Sequence, residues 1–480
     1  MASVSSTSSA RPRKPRWATG WEKILRRASP PWGLACLAFA AYSVVSVMRF
    51  RRVQSSSWDL GIFEQVVRHY AQLESPISDI KGVDFNILGD HFSPILVVLA
   101  PLYRVFPSAL TLLVAQAALI ALSVVPITRA AIRILGKSRG VAVGFAYGIS
   151  WGIQSAVDFD FHEICFAVPI LAFVLQQVLE RRWKSAALWS LPLVLVKEDL
   201  GLTVAAIGAC IFFFGGKKIG SSLAGFGVAA FLLVMFVLIP GVNEEGEYDY
   251  WEKLGEGSEL GTHSLSGLFL DGTSIKITTL FLLLGITGFV ALRSPLSLLL
   301  VPTLGWRFIS DESNYWGTDW HYNAVLMPIL FAALVDGLRL MKESRRRWAQ
   351  RYAANAVPAV LAISIALTGQ FPFKALFDLE TYRTTAKARS AEKVIALVPE
   401  GVTVETSGGI LPHLTGKSRV FWVGGTGKIS PDFIVLDLAR RNPAPNGDFA
   451  GYARNAHPGS TYTVAYRDPN FVVLRRSASA

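Results

Sequence analysis

Residues 185–214 read SAALWSLPLVLVKEDLGLTVAAIGACIFFF, two apolar runs joined by Lys197-Glu198-Asp199. The stretch admits two readings, and the choice between them fixes the fold. As one helix it would hold three charges at the middle of a bilayer, which costs several kcal/mol even with partial pairing. As two short spans it brings the charged triplet to one membrane surface. The single span would also move Lys217, Lys218 and the Arg345–Arg351 cluster onto the side that carries most carboxylates. Two spans are therefore expected. Because 185–197 is short for a crossing of roughly 30 Å of hydrocarbon, the triplet is expected to sit recessed below the outer surface.

The rest of the chain agrees with a membrane setting. Hydrophobic residues make up 51% of the 480 residues and charged ones 17%, with a mean hydropathy of +0.39. That leaves too little polar surface for a soluble protein of this length. Spans are expected at 32–48, 108–130, 139–157, 164–180, 185–197, 200–214, 219–240, 276–292, 295–308, 322–340 and 353–370. The run 92–106, interrupted by Pro94, Pro101 and Arg104, reads as a re-entrant or interfacial helix. Basic residues collect in alternate connections, such as Arg129/Arg133/Lys137/Arg139, Arg181/Arg182/Lys184 and Lys217/Lys218, which marks those connections as cytoplasmic. Ahead of the C-terminal region only Glu22, Glu180, Asp336 and Glu343 share that side. Arg49, Arg51 and Arg52, just after the first span, run against the rule. The net charge of +12 thus follows from topology and needs no nucleic acid. Cys36, Cys165 and Cys210 all lie in apolar runs, which argues against a disulfide framework or a zinc site.

The expected fold class is mainly α: a polytopic membrane protein of about eleven transmembrane helices with a small extracytoplasmic α/β domain. Residues 1–30 form a Ser-rich, basic cytoplasmic tail, 31–370 the transmembrane domain with its outer loops, and 371–480 the outer domain. In that last region Val402–Glu405, Arg419–Trp422, Phe433–Asp437 and Phe471–Leu474 are strand-like runs between Gly, Pro and Asn. Gly408-Gly409 marks a strand-to-helix turn that lacks the glycine spacing of a nucleotide fingerprint.

The chemistry-bearing residues fall on the outer side. Ser57-Trp58-Asp59-Leu60-Gly61-Ile62-Phe63-Glu64-Gln65 opens the first outer loop and Gly89-Asp90-His91 closes it. Asp158-Phe159-Asp160-Phe161-His162-Glu163 belongs to the second, followed by Lys197-Glu198-Asp199, Arg307 and Asp319-Trp320-His321-Tyr322. Asp59 can be read as a helix N-cap or as a functional carboxylate. If 158–163 is extended, Asp158, Asp160 and His162 share one face, an oxygen/nitrogen set for a divalent cation such as Mg or Mn. Solvated acidic loop residues are the plainer alternative. Lys197 can equally be an ion-pair partner of Glu198 or Asp199.

The order W-D-L-G-I-F-E-Q, G-D-H-F-S-P, D-F-H-E and K-E-D resembles a bacterial family of predicted integral membrane proteins. That family is known only as a domain of unknown function and is grouped with the GT-C glycosyltransferase superfamily. The resemblance implies a GT-C-like transmembrane fold, a polyprenyl-phosphate-linked sugar donor, an outward-facing site and an essential acid in the first outer loop, where Asp59 stands. The residues suit such chemistry. A base must activate an acceptor hydroxyl, and cations must balance the departing phosphate. Asp59, Asp160 and Glu198 are the acid candidates, while Lys197, Arg307, His321 and His91 are the donor-phosphate candidates. The function expected is transfer of a sugar from that lipid-linked donor to an extracytoplasmic glycan, lipid or protein acceptor of the cell envelope. The alternatives are a transporter or flippase of lipid-linked precursors and a catalytically inactive scaffold. Transporters usually place polar groups at mid-bilayer between paired halves, whereas here the charges gather on one face.

Overall fold

A computed structural model of the protein describes residues 29–55, 57–246, 271–439, 444 and 446–477. The basic tail expected over 1–30 lies almost wholly outside them. The described chain is mainly helical, with one five-stranded sheet near the C-terminus. The helices used below are α1 (Pro30–Arg51), α2 (Asp59–Gln72), α3 (Ala109–Leu135), α4 (Lys137–Gly148), α5 (Trp151–Asp158), α6 (Ala167–Leu179), α7 (Leu200–Phe213), α8 (Lys217–Leu233), α9 (Thr273–Gly285), α10 (Val301–Ile309), α11 (Leu326–Lys342) and α12 (Arg347–Thr368).

Among the described residues four helical stretches are long and apolar enough to cross a membrane: Pro30–Arg51, Ala109–Leu135, Lys217–Val242 and Arg347–Thr368. Shorter apolar helices accompany them, including Glu163–Leu179, Leu200–Phe213, Thr273–Gly285 and Pro295–Ile309. Of the eleven stretches expected to span, 32–48, 108–130, 219–240 and 353–370 fall on the four long helices, and the others fall on shorter or broken ones. The span expected over 139–157 breaks into α4 and α5 at Ile149-Ser150, where the Gln154 side chain donates to the Ile149 carbonyl at 2.7 Å. The run 92–106 forms a 3-10 turn, Pro94–Leu99, followed by the short helix Ala100–Val105.

The stretch 185–214 breaks at the charged triplet. A helix over Trp183–Ser190 tightens into a 3-10 turn, Leu191–Leu195, and α7 starts afresh at Leu200. α7 then lies backbone to backbone against α8. A Cβ on Gly208 would stand 2.4 Å from the Ala224 amide nitrogen, and one on Gly220 2.4 Å from that of Phe212. Small residues permit that approach, as they do between membrane helices generally.

α3 is the longest helix among the described residues. It starts after Ser108, whose Oγ accepts from the Leu110 amide at 3.3 Å, and 27 residues carry it about 40 Å to Gly136. At its C-terminal end Arg133 and Arg182 pair with Glu180 at 2.8 and 3.3 Å. Near its start, Gln116 holds the 158–162 loop. The basic connections and the carboxylate-rich loops therefore lie toward opposite ends of α3.

The sheet runs in the order β2-β1-β3-β5-β4, with β1 Thr403–Thr406, β2 Arg419–Trp422, β3 Phe433–Asp437, β4 Tyr462–Arg467 and β5 Phe471–Arg476. β1 is parallel to β2 and β3, and β5 is antiparallel to β3 and β4. Four strands match the sequence runs. β4 was not expected, because its side chains are mostly solvent-facing and it lacks a buried apolar set; the Asp468-Pro-Asn470 turn pairing it to β5 was its signal.

Gly408-Gly409 does open a strand-to-helix turn, but its function is contact. A Cβ on Gly409 would meet the Val53 carbonyl oxygen at 2.3 Å. The His413 ring stacks on Phe50 at 4.0 Å, and Gln65 Nε2 donates to the Val420 carbonyl at 2.8 Å. The sheet unit is thereby seated on the end of α1 and on one face of α2.

Candidate active site

α2 is amphipathic in an unusual sense, since both of its faces are covered. Its first residue is Asp59, at the N1 position after the N-cap Trp58, and the Asp59 amide donates to Ser57 Oγ at 3.3 Å. Asp59 is therefore not the N-cap that one reading of the sequence allowed. It lines a cavity of about 420 Å3, with Trp58, His91, His162, Lys197, Glu198 and His321 also on the wall. Leu202 of α7, Phe231 of α8 and Met235 make an apolar side, and Trp306, Tyr315, Trp320 and Tyr322 an aromatic one.

Three loop segments and the 196–199 break converge there, each held by its own buried bonds. Gln116 of α3 accepts from the His162 amide at 3.0 Å and donates to the Ala156 and Asp160 carbonyls. That clamp holds Asp160 at φ +102°. Trp320, beside His321, is likewise left-handed at φ +64°. Such backbone costs about 1–3 kcal/mol per residue and persists where surroundings enforce it, often at functional sites.

Lys197 is nearly enclosed, at 9% exposure, and its Nζ lies 3.3 Å from Glu163 Oε1. Glu163 Oε2 in turn lies 2.8 Å from His162 Nδ1. Burial opposes the Lys197 charge, but Glu163, Glu198 and Asp199 overcome that and hold its pKa above the ordinary value. His91 Nδ1 is 2.9 Å from Glu198 Oε1, and the Phe92 amide donates to Glu198 Oε2 at 3.3 Å. Burial lowers the His91 pKa, yet Glu198 and then Asp90 outweigh it, so the ring is raised toward the cation. Asp90 itself is paired with Lys81 at 3.1 Å.

Asp59 and His321 are the two groups poised differently. Burial pushes the Asp59 carboxyl above its usual range, and His162 only partly offsets it. His321 is driven well below its ordinary value, chiefly by burial and then by His162, so it is neutral near pH 7. Its ring stacks on His162 at 3.5 Å, and neither ring nitrogen has a hydrogen-bond partner among the described residues. A buried, unpartnered imidazole facing a cavity is a donor awaiting an acceptor.

Of the sequence candidates, Asp59, Glu198, Lys197, His321, His91 and His162 come together on the cavity wall. Asp158, Asp160 and Arg307 lie behind it. Residues 158–163 are not extended. Asp158 ends α5 and its Oδ2 is 3.0 Å from Arg49 Nη1, while the positive φ of Asp160 breaks the alternation. Asp158, Asp160 and His162 therefore do not share a face. Among the described residues no group of three His, Cys, Asp or Glu side chains is arranged to hold a metal ion. Arg307 of α10 is fully buried and turned to its own loop: it donates to the carbonyls of Tyr315 (2.7 Å), Gly317 (3.0 Å) and Tyr322 (3.3 Å) and to Asn323 Oδ1 (3.0 Å). It shapes the 315–323 loop that presents Tyr315, Trp320 and His321.

Glu64, grouped with Asp59 by sequence, sits on the other face of α2. It is 1% exposed, accepts from the Tyr103 hydroxyl at 3.0 Å and from the Thr415 hydroxyl, and thus ties α2 to the sheet unit. The residues missed were Glu163, which bridges Lys197 and His162, and the aromatic wall. Trp306 Nε1 donates to Asp199 Oδ2 at 2.9 Å, and Tyr315 and Tyr322 meet edge to face at 5.0 Å. The crowding of aromatic residues between Trp306 and Tyr322 was the available signal.

The fold is shared with a solved GT-C glycosyltransferase. ArnT from Cupriavidus metallidurans bound to undecaprenyl phosphate superposes with a TM-score of 0.59 at 15% identity, covering 96% of this chain and 99% of that one. The apo form of the same enzyme gives 0.57 at 14% identity, with 95% and 98% covered. The Archaeoglobus fulgidus oligosaccharyltransferase gives 0.38 at 12% identity, with 84% and 69% covered. No curated protein sequence matches the chain. A family described as "Predicted membrane protein (DUF2079)" matches residues 49–473, and the chain belongs to it.

Proposed function

We propose that this protein is a membrane glycosyltransferase that moves a sugar from a polyprenyl-phosphate donor to an extracytoplasmic acceptor of the cell envelope. The observation that carries the reading is the meeting of a carboxylate, a buried ammonium and an unpartnered neutral imidazole in one cavity with an apolar side. ArnT binds undecaprenyl phosphate in its crystal structure, and the shared fold supports a ligand of that chemistry here.

In this reading the lipid tail leaves past Leu202, Phe231 and Met235 and the phosphate lies against Lys197 and His321. The aromatic side supports the sugar. Asp59 takes the proton of the acceptor hydroxyl as its oxygen bonds to the anomeric carbon, and the bond from that carbon to the phosphate oxygen breaks. The electron pair leaves with the lipid phosphate, whose added charge Lys197 and the His321 N–H balance. The raised pKa of Asp59 makes it a stronger base than an exposed carboxylate. Glu163, Glu198 and Arg307 position Lys197, His91 and the 315–323 loop.

The test is saturable binding of a polyprenyl phosphate to the purified full-length protein in nanodiscs, with Lys197→Ala and His321→Ala as variants. Loss of binding in both supports the reading, and unchanged affinity in both defeats it. The reading also places the N-terminus in the cytoplasm and the sheet unit outside, in a multi-pass arrangement. A cysteine at exposed Glu400 should then react with an impermeant maleimide in intact cells and one at exposed Ser221 should not; the reverse pattern would invert the topology.

A further inference from the structure

A second groove, of about 560 Å3, lies between α1, α4 and α12, walled by Leu37, Ala41, Phe145 and Ile365, with Lys374 and Phe377 at one end. Its α1 wall is a helical stripe. Leu34, Ala38 and Ala41 line it at three- and four-residue spacing, and the same helix face runs on past the lining through Val45 to Arg49 and Arg52. These arginines belong to the trio that stands against the positive-inside distribution. Arg49 Nη1 is 3.0 Å from Asp158 Oδ2, and Lys374 acts electrostatically on the same carboxylate. One carboxylate therefore faces two cations, which leaves a positive charge in excess at the polar end of an apolar groove. The buried Nε atoms of Arg49 and Arg52 have no hydrogen-bond partner among the described residues.

An apolar groove between membrane helices that ends in a cation with no ion pair among the described residues matches a lipid tail with an anionic head. We propose that it holds one anionic phospholipid of the adjoining leaflet, with a tail along the α1 stripe and its phosphate at Lys374. This lipid is distinct from the donor of the reaction. The groove adjoins α5, where Gln154 Oε1 accepts from the Phe373 amide at 2.9 Å, whereas the catalytic cavity begins on the other side of Asp158, at Phe159. The bound lipid would brace α5 and the 158–162 loop from behind.

Native mass spectrometry of the full chain, released from nanodiscs of equal phosphatidylglycerol and phosphatidylcholine, reads the occupant directly. The expected result is one retained phosphatidylglycerol per chain and little phosphatidylcholine. Lys374→Glu should lower that retention at least tenfold, and Ala41→Phe, which fills the groove without touching charge, should do the same. Asp59→Asn should retain the lipid fully, so the result does not depend on the transfer reaction. Equal retention of both lipids, or retention unaffected by the charge reversal and by Ala41→Phe, would overturn the proposal.

Discussion

The two carboxylates of α2, one and a half turns apart, have opposite fates. Asp59 opens into the cavity, with burial raising its pKa and its amide donating to Ser57 Oγ. Glu64 is sealed between Tyr103 and Thr415, and burial raises it to about 7 against the pull of those two hydroxyls. Glu64 is buried and Asp59 half-buried in the same helix, and one is left available while the other is spent on docking the sheet unit. The lesson is that an acid with a raised pKa signals function only when its oxygens face space. α2 thus serves as a rigid bar, gripped on one face so that the other can present a carboxylate.

The sharpest way to break the comparison is to neutralise each acid. Asp59→Asn should lower transfer by about two to four orders of magnitude while thermal stability holds, because shape is kept and the proton acceptor lost. An Asp59→Asn protein with wild-type turnover would erase the distinction. Lys197→Ala should weaken polyprenyl phosphate binding by roughly 10- to 100-fold, the range for a charged hydrogen bond, and Lys197→Arg should restore only part of it. Equilibrium binding at fixed salt checks both.

Glu64→Gln should leave donor affinity within about twofold and instead cost about 1–2 kcal/mol of stability at low pH, since a neutral amide cannot reproduce both hydroxyl contacts. Linkage fixes the sign of its pH dependence. The folded pKa of about 7 lies above the ordinary 4.5, so between those values the folded state binds more protons than the unfolded one. Stability from this group is complete below about pH 4.5 and falls as pH rises toward 7. The melting difference between wild type and Glu64→Gln should therefore shrink from pH 5 to pH 8; a constant or widening gap contradicts the assignment.

How much of this was legible in the sequence depends on the kind of signal. Membrane class, the break at Lys197-Glu198-Asp199 and four of five strands followed from hydropathy, the expense of buried charge and strand periodicity. Asp59, Lys197 and His321 could be named because motif order survives without coordinates. What could not be read was direction. Arg307 lies in an outward-tending segment, yet its guanidinium turns back to four acceptors of its own loop. Asp158 and Asp160 alternate in sequence, but the Gln116 clamp and the Arg49 pair twist the segment out of extension. Glu64 gave no hint of Thr415, 351 residues away. Long-range partners decide orientation, and one chain read alone does not pair them.

The grip on α2 can be loosened more gently. Gly409→Ala should destabilise by about 1–3 kcal/mol, because its Cβ would press on the Val53 backbone oxygen, which has little room to yield. Gly61→Ala should cost less, under about 1.5 kcal/mol, since its Cβ meets the movable tips of Leu411 and Ile80. Melting curves of the two variants rank them, and a larger loss for Gly61→Ala would show that the α2 face is packed more rigidly than the α1 end.

Whether this cavity receives a lipid phosphate is read most directly from a structure of the full-length protein in nanodiscs with a polyprenyl phosphate. Phosphate density is expected within hydrogen-bond reach of Lys197 Nζ and a His321 ring nitrogen, with Asp59 facing it across the cavity and the tail leaving past Leu202, Phe231 and Met235. Phosphate bound elsewhere, with the cavity filled only by water and His321 turned to a protein partner, would contradict that reading.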